Sequence, residues 1–230
     1  MTKLISIIIP TLNEEEYIEE CLRHVVQRCS EGPCEIIVAD GGSQDGTQKI
    51  AERWGAQVIL CEKAQRAYQL NCGAEIARGE ILYFLHADAL LPPKYDEHIR
   101  QSLKVGHDFG IFAYDFYPDN RWLRINASFT RRKYGFSGGG DQSLYMSRSV
   151  FESTGGFDDN LEVMEDFEYF HRLRSKFKWE VIQSPLKVSA RKYQRNGYLK
   201  VQLVNFAAVL AYRMGVPTMK IKRWYCRQLQ

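Results

Sequence analysis

The stretch Glu80-Ile81-Leu82-Tyr83-Phe84-Leu85-His86-Ala87-Asp88-Ala89-Leu90-Leu91-Pro92 decides how the chain folds. Residues 81–85 are an unbroken apolar run, the pattern of a strand buried on both faces of a parallel sheet. Before the run, Ala77-Arg78-Gly79 reads as a helix stop; after it, the chain breaks abruptly into His86-Ala87-Asp88. An imidazole and a carboxylate are therefore expected just beyond the carboxyl end of a central strand, where open α/β sheets bind their ligands. Asp88 is the first candidate for a group that holds a metal ion or a substrate.

The chain upstream repeats the same alternation of strand, turn and helix. Residues 4–9 form a β-branched run that ends at Pro10-Thr11. Asn13, with Glu14, Glu15 and Glu16 behind it, reads as a helix start: a capping side chain followed by acids in the positive first turn. A second strand over 35–39 runs into Asp40-Gly41-Gly42-Ser43-Gln44-Asp45-Gly46-Thr47 and a helix with Ile50, Ala51 and Trp54. Glycines such as Gly42 let backbone approach a ligand closely, and Asp40 at a strand end can accept hydrogen bonds from a ribose or a base. The alternative is a tight turn whose aspartates bond only their own backbone. A third strand over 58–61 precedes a helix over 67–77. Arg66 opens that helix against the dipole, which suggests another task such as meeting a phosphate. The order β-α-β-α-β-α-β predicts a doubly wound, mostly parallel sheet in an αβα sandwich.

Downstream the reading is coarser. A helix is expected after Pro92-Pro93 through Leu103, a strand over 109–116, a helix over 122–134 and a glycine-rich loop over 136–142. A short strand over 143–146 follows, then a helix led by Glu165 and Asp166, and short strands around Pro185. Paired acids at a helix start can be no more than complements of the dipole. A helix over 198–214 carries Leu199, Leu203, Phe206, Val209 and Leu210 on a wide apolar face, well short of the ~20 residues that a membrane span needs.

With 230 residues and a net charge of +3, the chain suits one domain with a sizeable core. The six cysteines form no Cys-x-x-Cys pair, so they read as reduced packing thiols. No signal peptide is read in the short run over 4–10, and the cytoplasm is the expected location. From His171 onward the sole acid is Glu180 while lysines and arginines recur to the end. Such a basic region points to an anionic partner: a nucleotide phosphate, a nucleic acid or an acidic membrane surface.

These motifs, in this order, resemble glycosyltransferase family 2, the GT-A fold transferases that use nucleotide-sugar donors. The resemblance spans residues 3–195. Ser6-Ile7-Ile8-Ile9-Pro10-Thr11-Leu12-Asn13-Glu14-Glu15 is similar to the family's first strand and loop, which implies that Pro10, Thr11 and Glu14 line the nucleoside pocket. Asp40-Gly41-Gly42-Ser43-Gln44-Asp45-Gly46-Thr47 resembles its second nucleotide loop, with Asp40 facing the base or ribose. His86-Ala87-Asp88 stands in the place of the Asp-x-Asp motif, so Asp88 carries over as the ligand of Mg²⁺ or Mn²⁺, and His86 is expected in a non-ligand role. Gly155-Gly156-Phe157-Asp158 and Glu165-Asp166 resemble the acceptor side, with Asp166 as the base and Glu165 assisting. Arg191 falls where the family's last nucleotide-site segment lies and is expected, with Arg66, at a phosphate.

The resemblance implies a metal-dependent, inverting transfer from a UDP- or GDP-sugar to an acceptor hydroxyl, with a lipid-linked acceptor in view and no nucleic acid partner. It divides one domain into a nucleotide-binding half (1–92), an acceptor half (93–195) and basic C-terminal helices (196–230) suited to peripheral contact with the inner face of a membrane. The rival readings are a nucleotidyltransferase on a similar sheet and a non-catalytic nucleotide- or membrane-binding module. The first wants a Gly-rich basic first loop, where this chain has Pro10-Thr11-Leu12-Asn13-Glu14. The second leaves Glu165-Asp166 unexplained.

Overall fold

The computed structural model describes residues 2–30, 32–133 and 143–229. The expected loop over 136–142 therefore lies outside the described residues. The N-terminal part runs β1 (Ile5–Thr11), α1 (Ile18–Arg28), β2 (Cys34–Asp40), α2 (Thr47–Arg53), β3 (Gln57–Leu60), α3 (Arg66–Ile76) and β4 (Ile81–Phe84). It continues through α4 (Tyr95–Lys104), β5 (Phe109–Tyr117), α5 (Arg121–Thr130), β6 (Leu144–Ser147), α6 (Arg148–Thr154), α7 (Glu165–Arg174) and β7 (Trp179–Ser189). The short α8 (Arg191–Asn196) leads to α9 (Tyr198–Arg213) and α10 (Thr218–Gln228).

The strands form one sheet in the order β3-β2-β1-β4-β6-β5-β7. The first four are mutually parallel, β6 is antiparallel to both neighbours, and β5 and β7 are parallel. The alternation of strand side chains separates two apolar layers. Ile5, Ile7 and Ile9 of β1 pack with Ile18, Leu22 and Tyr95 on one face, and Ile8 packs with Leu70, Ala74 and Phe157 on the other. The order of strand addition reverses at β1, because the chain winds from β1 through β2 to β3 on one side and then returns to place β4 on the other, all four strands staying parallel. Ligand crevices of open α/β sheets form at such a switch point.

Three local expectations are corrected. Asn13 does not cap a helix: it sits at φ 55°, and α1 starts five residues later. Its side-chain oxygen accepts from the Gln44 amide, so loop-to-loop bonding outcompetes capping. The segment around Pro185 is one strand, not several, because the ladder steps from Phe112–Ile182 to Tyr114–Leu186 and leaves residues 183–185 bulged. A bulge suits a proline, which has no amide to donate. Finally, α6 was not expected; its residues sit between a strand and the Gly155 turn with little apolar periodicity.

Candidate active site

The loops after β1 and β2 are laced together at the sheet's carboxyl edge. Asn13 and Glu14 donate their amides to the Ser43 and Thr47 hydroxyls (2.8 Å each), and Gly46 donates its amide to Glu15 (2.7 Å). Asp40 is the knot of this lacing, fully buried at the end of β2. One carboxylate oxygen accepts from the amides of Gly42 (3.0 Å) and Ser43 (2.8 Å) and from Gln48 (2.8 Å). The other accepts from the hydroxyls of Thr11 (2.8 Å) and Ser43 (2.5 Å). Burial alone would raise its pKa, but the hydrogen bonds from Ser43, Thr11 and Gln48 outweigh it and hold the carboxyl below the usual carboxylate range. Gly42 follows at φ 94°, a conformation that glycine adopts without Cβ strain. Asp40 thus organises the loop in this structure, and a base reaching its carboxylate must displace one of these donors.

Two clasps, each an arginine held by carboxylates, flank this loop pair. Arg191, first residue of α8, donates to both oxygens of Glu14 (3.1 and 3.3 Å) and lies 3.4 Å from Asp88. Its guanidinium also covers the Tyr17 ring at 4.5 Å. Burial would lower its pKa, but the Glu14 hydrogen bonds and the Asp88 charge raise it, so the group stays charged. The second clasp forms around Arg66 at the start of α3. Its guanidinium lies against the His86 imidazole and reaches Glu165 (3.4 Å) and Asp166 (3.3 Å) at the start of α7. Glu165 is buried, whereas the Asp166 side chain keeps 17% of its surface open. Met164, just before them, sits at φ 72°, a left-handed conformation uncommon outside glycine and the kind of strain that clusters at functional sites.

The structure therefore brings together Pro10, Thr11, Glu14, Asp40, Gly42, Arg66, Asp88, Glu165, Asp166 and Arg191 along one edge of the sheet. Arg66 and Arg191, proposed for phosphate, are held here by carboxylates. Sequence reasoning missed the support: Ser43 and Gln48 on Asp40, Tyr17 under Arg191, and Gln65, which donates to the carbonyls of Asp159 (2.6 Å) and Leu161 (2.9 Å) and so ties the start of α3 to the acceptor-side loop. Tyr17 lies just before α1, and side chains that act through tertiary contacts carry no local signature. Among the described residues no set of three or more His, Cys, Asp or Glu side chains is arranged to hold a metal by itself. A single carboxylate such as Asp88 still fits a hard cation that takes its other oxygens from a diphosphate and water.

An α/β sheet with arginines and carboxylates gathered at its switch point has the layout of a ligand-binding edge. Residues 6–157 match the family model for Glycosyl transferase family 2, and the chain belongs to that family. It is 37% identical over 176 residues to the glycosyltransferase AglE of Haloferax volcanii, covering 68% of this chain and 57% of that protein. The chain thus spans little more than half the length of that relative. A mannosyltransferase from Pyrobaculum calidifontis, in complex with GDP-Man and Mn²⁺, superposes with a TM-score of 0.66 at 20% identity, over 92% of this chain and 63% of that one. The S. aureus TarS fragment 1–349 in complex with UDP-GlcNAc superposes with a TM-score of 0.64 at 16% identity, over 80% and 58%. These likenesses show the GT-A fold.

Proposed function

We propose that the protein transfers a sugar from a nucleoside diphosphate sugar to an acceptor hydroxyl by direct displacement with inversion. The observation that carries this reading is the Arg66 clasp, which sets the acids of α7 beside the strand end that carries His86 and Asp88. The nucleoside would lie over Pro10, Thr11 and Glu14 on the loop that Asp40 and Gly42 shape. Its diphosphate would compete with Glu14 and Asp88 for Arg191 and with Glu165 and Asp166 for Arg66. Guanidinium groups bind phosphate bidentately, so the exchange keeps them satisfied and frees the carboxylates. Mg²⁺ or Mn²⁺ would be held by Asp88 with the donor's own oxygens, and when bound it supplies positive charge against the leaving diphosphate. The mannosyltransferase complex with GDP-Man and the TarS complex with UDP-GlcNAc support a GDP- or UDP-sugar as donor.

Once Arg66 turns to phosphate, Asp166 becomes the base that accepts the proton of the attacking hydroxyl. Access favours it over Glu165, which is buried. In this reading residues 1–92 hold the nucleotide, 93–195 serve the acceptor, and 196–230 face the carrier of a lipid-linked acceptor. Asp166→Asn should lower turnover by about 10²–10⁴ while donor affinity is kept, and Glu165→Gln should be milder. Steady-state transfer rates measured alongside donor calorimetry decide this. Unchanged turnover in both variants removes α7 from the chemistry.

A further inference from the structure

The wide apolar face expected for the helix over 198–214 does not pack inward. The protein is met by the narrow side of α9, through Val201, Val204 and Ala208. Leu199, Leu203, Phe206 and Met214 point the opposite way and are 75%, 69%, 66% and 74% exposed, with Leu210 between the last two. Their spacing of i, i+4, i+7, i+11 and i+15 is a straight stripe about 22 Å long at 1.5 Å rise per residue. At its N-terminal end the stripe meets a second one. Trp122 of α5 stacks on Tyr198 (6.0 Å between centroids, 26° between planes), and Trp122, Ile125 and Phe129 are exposed at helical spacing. Two helices of one surface thus present aromatic and aliphatic side chains to solvent side by side, more apolar surface than single exposed residues account for.

The charge around this surface selects the occupant. From Arg191 to the end the sequence contains no Asp or Glu, and Arg195, Lys200, Lys220, Arg223 and Arg227 are exposed on α8, α9 and α10. An amphipathic helix with an apolar outer face and a fringe of cations is the form that lies flat in the headgroup region of a bilayer, and Trp and Tyr favour that depth. Among the described residues no helix is long and apolar enough to cross a membrane. We infer that the outer faces of α5 and α9 dock the protein on an anionic lipid surface, with α10 as the basic flank. This inference stands on the exterior of the molecule and not on the sugar-transfer reading. It does place Arg191, on α8 just before α9, within one short helix of the lipid.

Co-sedimentation with vesicles tests it. The wild-type protein should sediment with vesicles of phosphatidylcholine and phosphatidylglycerol, and at least about tenfold less with phosphatidylcholine alone, with the difference shrinking as salt is added. Leu203→Glu with Phe206→Glu should abolish sedimentation while the unfolding temperature and nucleoside diphosphate binding stay unchanged. Because that variant alters two residues at once, a second measurement uses the native chain: chain-brominated lipids should quench its tryptophan fluorescence through the exposed Trp122 of α5 and Trp224 of α10. A wild-type protein left in the supernatant, or a double variant that sediments like wild type, overturns the proposal. So does a wild-type dimer in solution that Leu203→Glu dissociates while vesicles are ignored, since a second copy is then the occupant. Nucleotide binding is read separately, so loss of the transferase reading leaves this result standing, and the reverse also holds.

Discussion

At the scale of residues, the site is built from charges that satisfy one another before a ligand arrives. Asp40 shows what this requires. A buried carboxylate without partners would be neutral, and this one is kept ionised by five donors aimed at two oxygens. Its folded pKa lies below the unfolded value, so its stabilisation is present above about pH 4 and is lost as pH falls through the folded value. Asp40→Asn should cost about 1–3 kcal/mol at neutral pH, because an amide turns a donor toward donors. That deficit should narrow below about pH 4; denaturant melts of both proteins across pH 3–7 would show no gap if the lacing is unimportant, and a constant gap if the ionised carboxylate is not its source. The same variant should weaken nucleoside diphosphate binding, through the shape of the loop.

At the scale of elements, α3 is the part that connects the two halves of the site. Its N-terminus carries Gln65 and Arg66, and its middle lies so close to β1 that a Cβ on Gly73 would come within 2.5 Å of the Ile8 side chain. Ile8 is fully buried in a central strand and has no room to yield. Gly73→Ala should therefore destabilise by about 1–3 kcal/mol through overpacking, despite the better helix propensity of alanine. A thermal melt equal to wild type would show that the helix shifts freely. If α3 relieves the clash by moving outward as a unit, Arg66 moves with it and donor affinity falls.

At the scale of the whole molecule, the sheet's switch point joins loops from β1, β2 and β4 with the starts of α3, α7 and α8. A ligand that bridges them should stabilise the whole fold. A nucleoside diphosphate with Mn²⁺, at a hundred times its Kd, should add about 2.7 kcal/mol by mass action. Without the cation, or in Asp88→Ala, the gain should be smaller, because the diphosphate then meets only the arginines. Differential scanning calorimetry with UDP and GDP, with and without chelator, measures this. Equal gains in chelator and in Mn²⁺ would remove Asp88 from the metal.

The sequence by itself determined the alternation of buried strands and helices, and with it the sheet, its ligand edge and the positions of Asp40, Asp88, Glu165 and Asp166. Strand periodicity and turn chemistry are local, so an apolar run such as Ile81–Phe84 can be read where it stands. Only the tertiary structure decided which carboxylate meets which cation. Arg191 and Glu14 are far apart in the chain, and Arg66 meets Asp166 across a hundred residues, through contacts no local pattern encodes. The same holds for the face of α9. Its apolar residues were legible, but hydrophobicity is non-directional, and a helix with apolar side chains on two sides turns inward only the side that its neighbours can cover. Here the neighbours cover Val201, Val204 and Ala208, and the larger side chains are left outside.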